Sequence, residues 1–233
     1  MIEYQDFITN IEALKGRIAD FADRSGRRAD SIRILPVTKT FPIAAVEYCI
    51  RSGFSAVGEN RVQEVVEKQG NLRNKIRWEL IGHLQSNKAK PAVEHFDCVQ
   101  SVDSVKLLEK LQRLAGDQQR KLDIMLQFNT GNDPDKHGME EELADSAVEF
   151  ALKCDHLNLL GFMTIAPLSD DPAVARRTFA RLRQLLERIN RDFGIAMKEL
   201  SMGMTDDLGS AILEGSTCIR VGTALFGRRP AHE

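Results

Sequence analysis

The sequence predicts a parallel (β/α)8 barrel, the TIM-barrel architecture of the α/β class, preceded by one extra helix. Three observations predict it. Short apolar runs alternate with amphipathic helical stretches along most of the chain, eight such runs can be counted, and 233 residues is close to the ~250 typical of this fold. An open doubly wound sheet fits less well, because no Gly-rich dinucleotide fingerprint follows the first strand. One domain over residues 1–233 is expected, with residues 1–26 forming a helix that packs on the barrel.

That helix is marked by Phe7, Ile11, Leu14, Ile18 and Phe21, spaced by four and three on one face, with Gly26 as its stop. The strands are predicted over 32–40, 56–60, 77–83, 98–103, 123–129, 157–165, 199–205 and 218–226. Between the first two, Pro42 opens a helix that Gly53 closes, with Ile43, Val46 and Ile50 on one face. Ser104 caps another, whose stripe is Val105, Leu108, Leu111 and Leu114 and which ends at Gly116. Asp171 and Pro172 start the longest helix, with Phe179, Leu182, Leu186, Ile189 and Phe193 inward and Gly194 after it. The polar, turn-rich segment 131–138 is the nearest thing to a long loop.

A formal charge of −2 with both signs interleaved leaves no basic run to recruit nucleic acid, so small molecules or proteins are the expected partners. Cys49, Cys98, Cys154 and Cys218 lie far apart inside apolar runs, with no CxxC pair. They read as reduced core residues, and no metal site is expected. No apolar stretch approaches the ~18 residues of a membrane span, and the N-terminus is polar, so a cytoplasmic protein is expected.

Chemistry is expected where the strands end, since barrel active sites lie at the carboxyl face. Lys39 continues the alternation of Leu35 and Val37, which puts an amine on an apolar face. Such a lysine is either consumed chemically or snorkels to water from the strand end. Asn60, His83, Asp103 and Asn129 end the next four strands, and Met163 and Thr164 lie near the end of the sixth. A lone strand-end histidine such as His83 is more often structural than catalytic.

The seventh and eighth ends are the most suggestive. Alternation in SMGMTDD groups Ser201, Gly203 and Thr205, and one of Thr205, Asp206 and Asp207 can cap the helix that follows. Arg220, Gly222 and Thr223 add a cation, a close-approach glycine and a hydroxyl, completing what reads as a phosphate cup. Gly203 and Gly222 also read as packing glycines. An inward guanidinium at Arg220, however, requires a carboxylate, a phosphate or a ring-nitrogen acceptor. Lys136 is either a loop charge or a second cation over the mouth. An amine on the first strand opposite a phosphate cup suits an aldehyde carried on a phosphorylated ring, a description that pyridoxal 5′-phosphate (PLP) meets.

The motifs VTKTFP, VGENRVQE, WELIGHLQSNK, SVDS, FNTGNDPDKHG, GFMTI, SMGMTDD and IRVGTALFG occur in this order nearly end to end. In them the chain resembles the YggS/PROSC-like pyridoxal phosphate homeostasis proteins, which are related to the barrel domain of alanine racemase. The resemblance implies a fold-type III PLP protein without the racemases' additional β domain. It further implies that Lys39 forms a Schiff base with PLP and that Ser201, Thr205, Gly222 and Thr223 surround the phosphate. Arg220 would approach the ring nitrogen, and Asn60, His83 and Met163 would line the pocket. Three departures stand out: Thr205 replaces a more usual serine, Glu79 stands where a histidine commonly follows the tryptophan, and Gln100 where one commonly precedes Ser101.

Racemisation needs acid–base groups on both faces of the bound substrate. The related racemases take the second, a tyrosine, from the additional domain of a partner subunit. The tyrosines here, Tyr4 and Tyr48, fall in predicted helices. A carrier that binds, buffers and delivers PLP to PLP-dependent apoenzymes is therefore expected, without a catalytic residue of its own and as a monomer. A PLP-dependent amino-acid racemase is the alternative, and a scaffold for protein clients with PLP as regulatory ligand is a third reading.

Overall fold

Eight parallel strands alternate with helices in the computed structural model, which describes residues 2–227. The ends of the expected 1–233 domain, Met1 and 228–233, lie outside the described residues. The strands are β1 (Arg33–Pro36), β2 (Ala56–Glu59), β3 (Arg77–Leu80), β4 (Cys98–Val102), β5 (Leu122–Gln127), β6 (Leu157–Met163), β7 (Glu199–Ser201) and β8 (Cys218–Val221). Each pairs with its sequence neighbour from β2 through β8, and β8 pairs with β1. A bridge between Val37 and Gly58, with the Thr38 N–H donating to the Gly58 carbonyl at 3.0 Å, closes β1 against β2. The result is the predicted barrel.

Alternation sorts the strand residues. Trp78, Leu80, Val99, Leu200, Ile219 and Val221 point outward into the apolar layer shared with the helices, while Leu35, Val37, Ala56, Ile81 and Cys218 form a small cluster inside the barrel. Polar residues are buried inside the barrel beside it, namely Glu79, Gln100, Ser201 and Arg220.

The helices are α1 (Tyr4–Arg24), α2 (Ile43–Arg51), α3 (Val62–Gln69), α4 (Ala89–His95), α5 (Val105–Asp117), α6 (Ala144–Leu152), α7 (Pro172–Phe193), α8 (Leu208–Leu213) and α9 (Thr223–Phe226). Helix α1 buries Phe7, Ile11, Leu14, Ile18 and Ala22, each large apolar side chain worth about 1.5–3 kcal/mol. It packs on α8 and α9, where Phe7 stacks on Phe226 with centroids 5.1 Å apart and Asn10 donates to the Leu225 carbonyl at 3.0 Å. Three of the predicted caps form, in that Ser104 accepts from the Leu107 N–H, Asp171 from the Ala173 N–H, and Gly194 is left-handed at φ 64°, whereas Asp207 at the start of α8 makes no cap bond and accepts from the Met204 N–H instead.

Strands β1, β3, β6 and β7 end at Pro36, Leu80, Met163 and Ser201 rather than at the predicted 40, 83, 165 and 205, so Lys39 follows β1 in a turn, and α2 and β8 need correction too. The buried stripe of α2 is Ala45, Val46 and Cys49, leaving Ile43 40% exposed, because that helix presents its small residues to the strands. The eighth strand ends at Val221 rather than 226, and residues 223–226 are helical. In α9 Leu225 and Phe226 then both reach the apolar layer, which alternation along one strand would forbid.

Candidate functional site

A cavity of about 250 Å³ opens at the carboxyl ends of the strands, near the ~300 Å³ at the small end of ligand pockets. Lys39, Asn60, Thr205, Arg220, Gly222 and Thr223 line it, together with Val37, Ile81, Ile165, Met204 and Asp206. Six of the nine predicted binding residues therefore share one cavity.

The backbone at Lys39 is held from both sides. On one side the Lys68 ammonium donates to the Thr38 carbonyl at 2.8 Å and to the Glu59 carboxylate at 2.8 Å, and the Thr38 hydroxyl donates to Glu59 at 2.6 Å. On the other, the Thr40 N–H donates to Glu64 at 2.8 Å, and Lys68 reaches that carboxylate too, at 3.3 Å. Burial raises the Glu59 pKa, with Lys68 and Thr38 opposing it. Burial also works against the Glu64 carboxylate, but the Thr40 N–H and Lys68 outweigh it and hold that pKa below its ordinary value. Thr40 sits at φ 65°, a costly backbone for a β-branched residue, and its buried hydroxyl has no hydrogen-bond partner.

Arg220 forms the cavity wall from inside the barrel. One terminal nitrogen donates to the Ser201 carbonyl at 2.6 Å and to the Ser201 hydroxyl at 2.9 Å, the other to the Thr164 carbonyl at 2.8 Å. Burial pushes its pKa down from the ordinary value, yet a guanidinium keeps its charge and can only donate. The Ser201 hydroxyl donates in turn to Gln100 at 2.6 Å, Gln100 donates to Glu79, and Arg33 donates to Glu79 at 2.7 and 3.2 Å. The two departures at positions 79 and 100 are thus partners of each other.

The cup departs from its predicted form. Alternation holds through Ser201 and Met202 but stops where β7 stops, so Met204 and Thr205 both line the cavity. Gly203 turns the chain at φ 96°, where an added Cβ would lie 2.5 Å from that of Ala211. Arg17 of α1 holds the Thr205 carbonyl at 3.0 Å. The first turn of α9 begins at Gly222 and Thr223, so backbone N–H groups and a hydroxyl meet at the cavity wall.

The remaining three predicted residues stand elsewhere. Ser201 lies behind Arg220, Met163 is fully buried, and His83 lines a neighbouring cavity that shares Asn60. Asn129 bonds its own loop, donating to the Asp133 carbonyl at 2.9 Å. Lys136 lines an adjoining cavity of about 310 Å³, which shares Ile165, Met204 and Asp206 with the first. Sequence reasoning missed the supporting roles of Glu59, Glu64, Lys68 and Gln100. The spacing of Glu64 and Lys68 by four on a helix was the available signal.

The fold and this lysine-and-arginine cavity define an alanine racemase-type barrel, and the profile of the alanine racemase N-terminal domain matches residues 9–230. A protein of Pseudomonas aeruginosa named pyridoxal phosphate homeostasis protein is 40% identical over 94% of this chain and 94% of its own. The structure of PipY from Synechococcus elongatus with PLP bound is 38% identical, covers 90% of this chain and all of that one (100%), and superposes with a TM-score of 0.79. An alanine racemase of Clostridium difficile shares the fold at a TM-score of 0.77 with 14% identity, over 97% of this chain and 58% of that one. The chain belongs to the pyridoxal phosphate homeostasis protein family.

Proposed function

We propose that the protein binds PLP reversibly in the Lys39 cavity and serves its homeostasis in the cytoplasm, buffering the cofactor and delivering it to PLP-dependent apoenzymes as a monomer. One arrangement carries this reading: an amine at Lys39, a donor-rich helix start at Gly222 and Thr223, and the Arg220 guanidinium all border one small cavity. Among the described residues no helix is long and apolar enough to cross a membrane.

The donor set fits the cofactor. Lys39 supplies the amine that condenses with its aldehyde, while Thr205, Gly222, Thr223 and the first turn of α9 supply phosphate donors. Asn60 borders the ring. Arg220 offers only N–H groups, so a pyridine nitrogen facing it must accept. PLP supplies an electrophilic aldehyde and an electron-withdrawing ring, and the latter works well only when its nitrogen is protonated. Ser201 acts by holding Arg220, Met163 by filling the barrel beneath, and His83 from the cavity next door.

A carrier is favoured over a racemase by the tyrosines. The Tyr4 hydroxyl bonds Ser52 at 3.0 Å and its ring meets that of Tyr48 edge-on at 5.0 Å, both on the helix layer rather than on the cavity. No second base is thereby offered by a tyrosine.

Purified protein given PLP should show a visible absorbance band that borohydride bleaches, and Lys39→Ala should lack it; a wild type that takes up no PLP would overturn the reading. Holo-protein incubated with L-alanine in deuterated water should show slow α-proton exchange, and rapid exchange would favour the racemase. Transfer to an apoenzyme should persist in the presence of a free-cofactor trap, and its disappearance would refute direct delivery.

A further inference from the structure

We propose that His83, Asp103 and His137 form a binding site for one divalent first-row transition-metal ion at the barrel mouth. The ligand atoms of these three side chains lie within 4.8 Å of one another. His83 Nδ1 is 2.8 Å from an Asp103 carboxylate oxygen, and the two imidazole rings stack with centroids 3.8 Å apart and planes 8° from parallel. Two imidazoles and one carboxylate are a donor set that holds Zn²⁺ with a position left open, and the same donors suit Co²⁺ and Ni²⁺. Tetrahedral bonds of about 2.0–2.1 Å place ligand atoms roughly 3.3 Å apart, so the donors draw in from their present spacing of up to 4.8 Å and the stacked rings turn out of parallel to aim their in-plane lone pairs at one ion.

The three backbones are fixed from behind, as a coordinating set requires. The Gly82 carbonyl, next to His83, accepts from the Ser101 hydroxyl at 2.6 Å, and an added Cβ at Gly82 would collide with the Asn60 backbone. Asp103 leaves β4 one residue before the Ser104 cap of α5. The His137 carbonyl accepts from Gln127 at 2.7 Å, and Gly138 follows at φ 137°, where a Cβ would be 2.6 Å from the Asn129 nitrogen. The bridge between Phe128 and Met139 pins that loop to β5. The segments after β3 and β4 and the loop after β5 thus bring three donors together, and His83 and His137 are exposed enough for an ion to enter.

The same groups could instead form only a His–Asp hydrogen bond with a second ring stacked on it, and the test decides between the two. Cofactor-free protein is titrated with ZnCl₂ by calorimetry and with CoCl₂ by visible absorbance. The expected result is saturable binding of one ion per chain, with cobalt d–d bands, weakened by roughly tenfold or more in His137→Ala and in Asp103→Asn. Lys39→Ala should retain the ion while losing PLP, which separates this site from the cofactor cavity, and the distant His156→Ala should bind as the parent does. Thermal melts confirm that each variant is folded. Absence of a one-equivalent site in the parent overturns the proposal. So does metal affinity unchanged by both His137→Ala and Asp103→Asn.

Discussion

The Ser201 hydroxyl donates to the Gln100 side chain at 2.6 Å across 101 residues of sequence, directly beneath the guanidinium of Arg220. Through this bond the orientation of Arg220 depends on β3 and β4. Glu79 receives Gln100 on one side and is ion-paired with Arg33 on the other, so the row is hydrogen-bonded from end to end. Removing one member leaves buried partners unsatisfied, at about 1–3 kcal/mol each. Gln100→Ala is therefore expected to destabilise the fold by about 1–3 kcal/mol in urea unfolding and to weaken PLP binding, although residue 100 does not line the cavity.

Because Glu79 and Gln100 bond each other, and the resembling family commonly carries histidine at both places, the two positions are expected to couple. Glu79→His and Gln100→His alone should each destabilise, and the double variant should be less destabilised than the sum by about 0.5–3 kcal/mol. Additive effects in that cycle would show that the Glu79–Gln100 bond contributes no coupling to stability.

Lys68 is the hub of the bracket around Lys39. Its side chain is 11% exposed and that of its partner Glu59 fully buried, so Lys68→Ala leaves an uncompensated carboxylate. A loss of about 3–5 kcal/mol is expected, as for other broken buried pairs. Lys68→Met, which keeps the stem, should lose nearly as much, and a small loss in denaturant unfolding would mean that Glu59 takes up a proton at little cost.

The two carboxylates of this bracket give stability opposite pH slopes. Glu64 has a folded pKa below its unfolded value of about 4.3. Its contribution is fully present above that value and is lost as pH falls through the folded pKa. Glu59 has a raised folded pKa, so its effect is most favourable at low pH and diminishes as pH rises through the window between the two values. Glu64→Gln is expected to flatten the acid limb of the stability curve below about pH 4.3, whereas the deficit of Glu59→Gln relative to wild type should shrink as pH climbs above that point. Urea midpoints measured across this range check both signs.

Much of this was legible in the sequence because it is local. Period-two runs located all eight strands, period-3.6 stripes located α1, α5 and α7, and strand-end reasoning brought Lys39, Asn60, Thr205, Arg220, Gly222 and Thr223 to one cavity. The misses are non-local. Nothing near Ser201 announces that its hydroxyl is taken by a residue on β4, and nothing near His83 announces Asp103 and His137. The end of β8 failed for another reason: residues 222–226 satisfy a strand pattern, but the chain turns into α9 after Gly222, and tertiary packing of Leu225 and Phe226 decides the outcome.

Strain beside Lys39 permits one more test. At φ 65° Thr40 occupies the left-handed region with a buried, unpaired hydroxyl. The left-handed backbone costs an L-residue about 1–2 kcal/mol, whereas glycine accepts it and loses about 0.5–1 kcal/mol of chain entropy instead. Thr40→Gly is therefore expected to leave the urea midpoint unchanged or to raise it slightly. The same change frees the backbone next to the amine, so PLP affinity should fall while stability does not. A variant that loses stability and affinity together would show that the Thr40 side chain supports the fold, and that the Glu64 bond to its N–H is not what holds Lys39 in place.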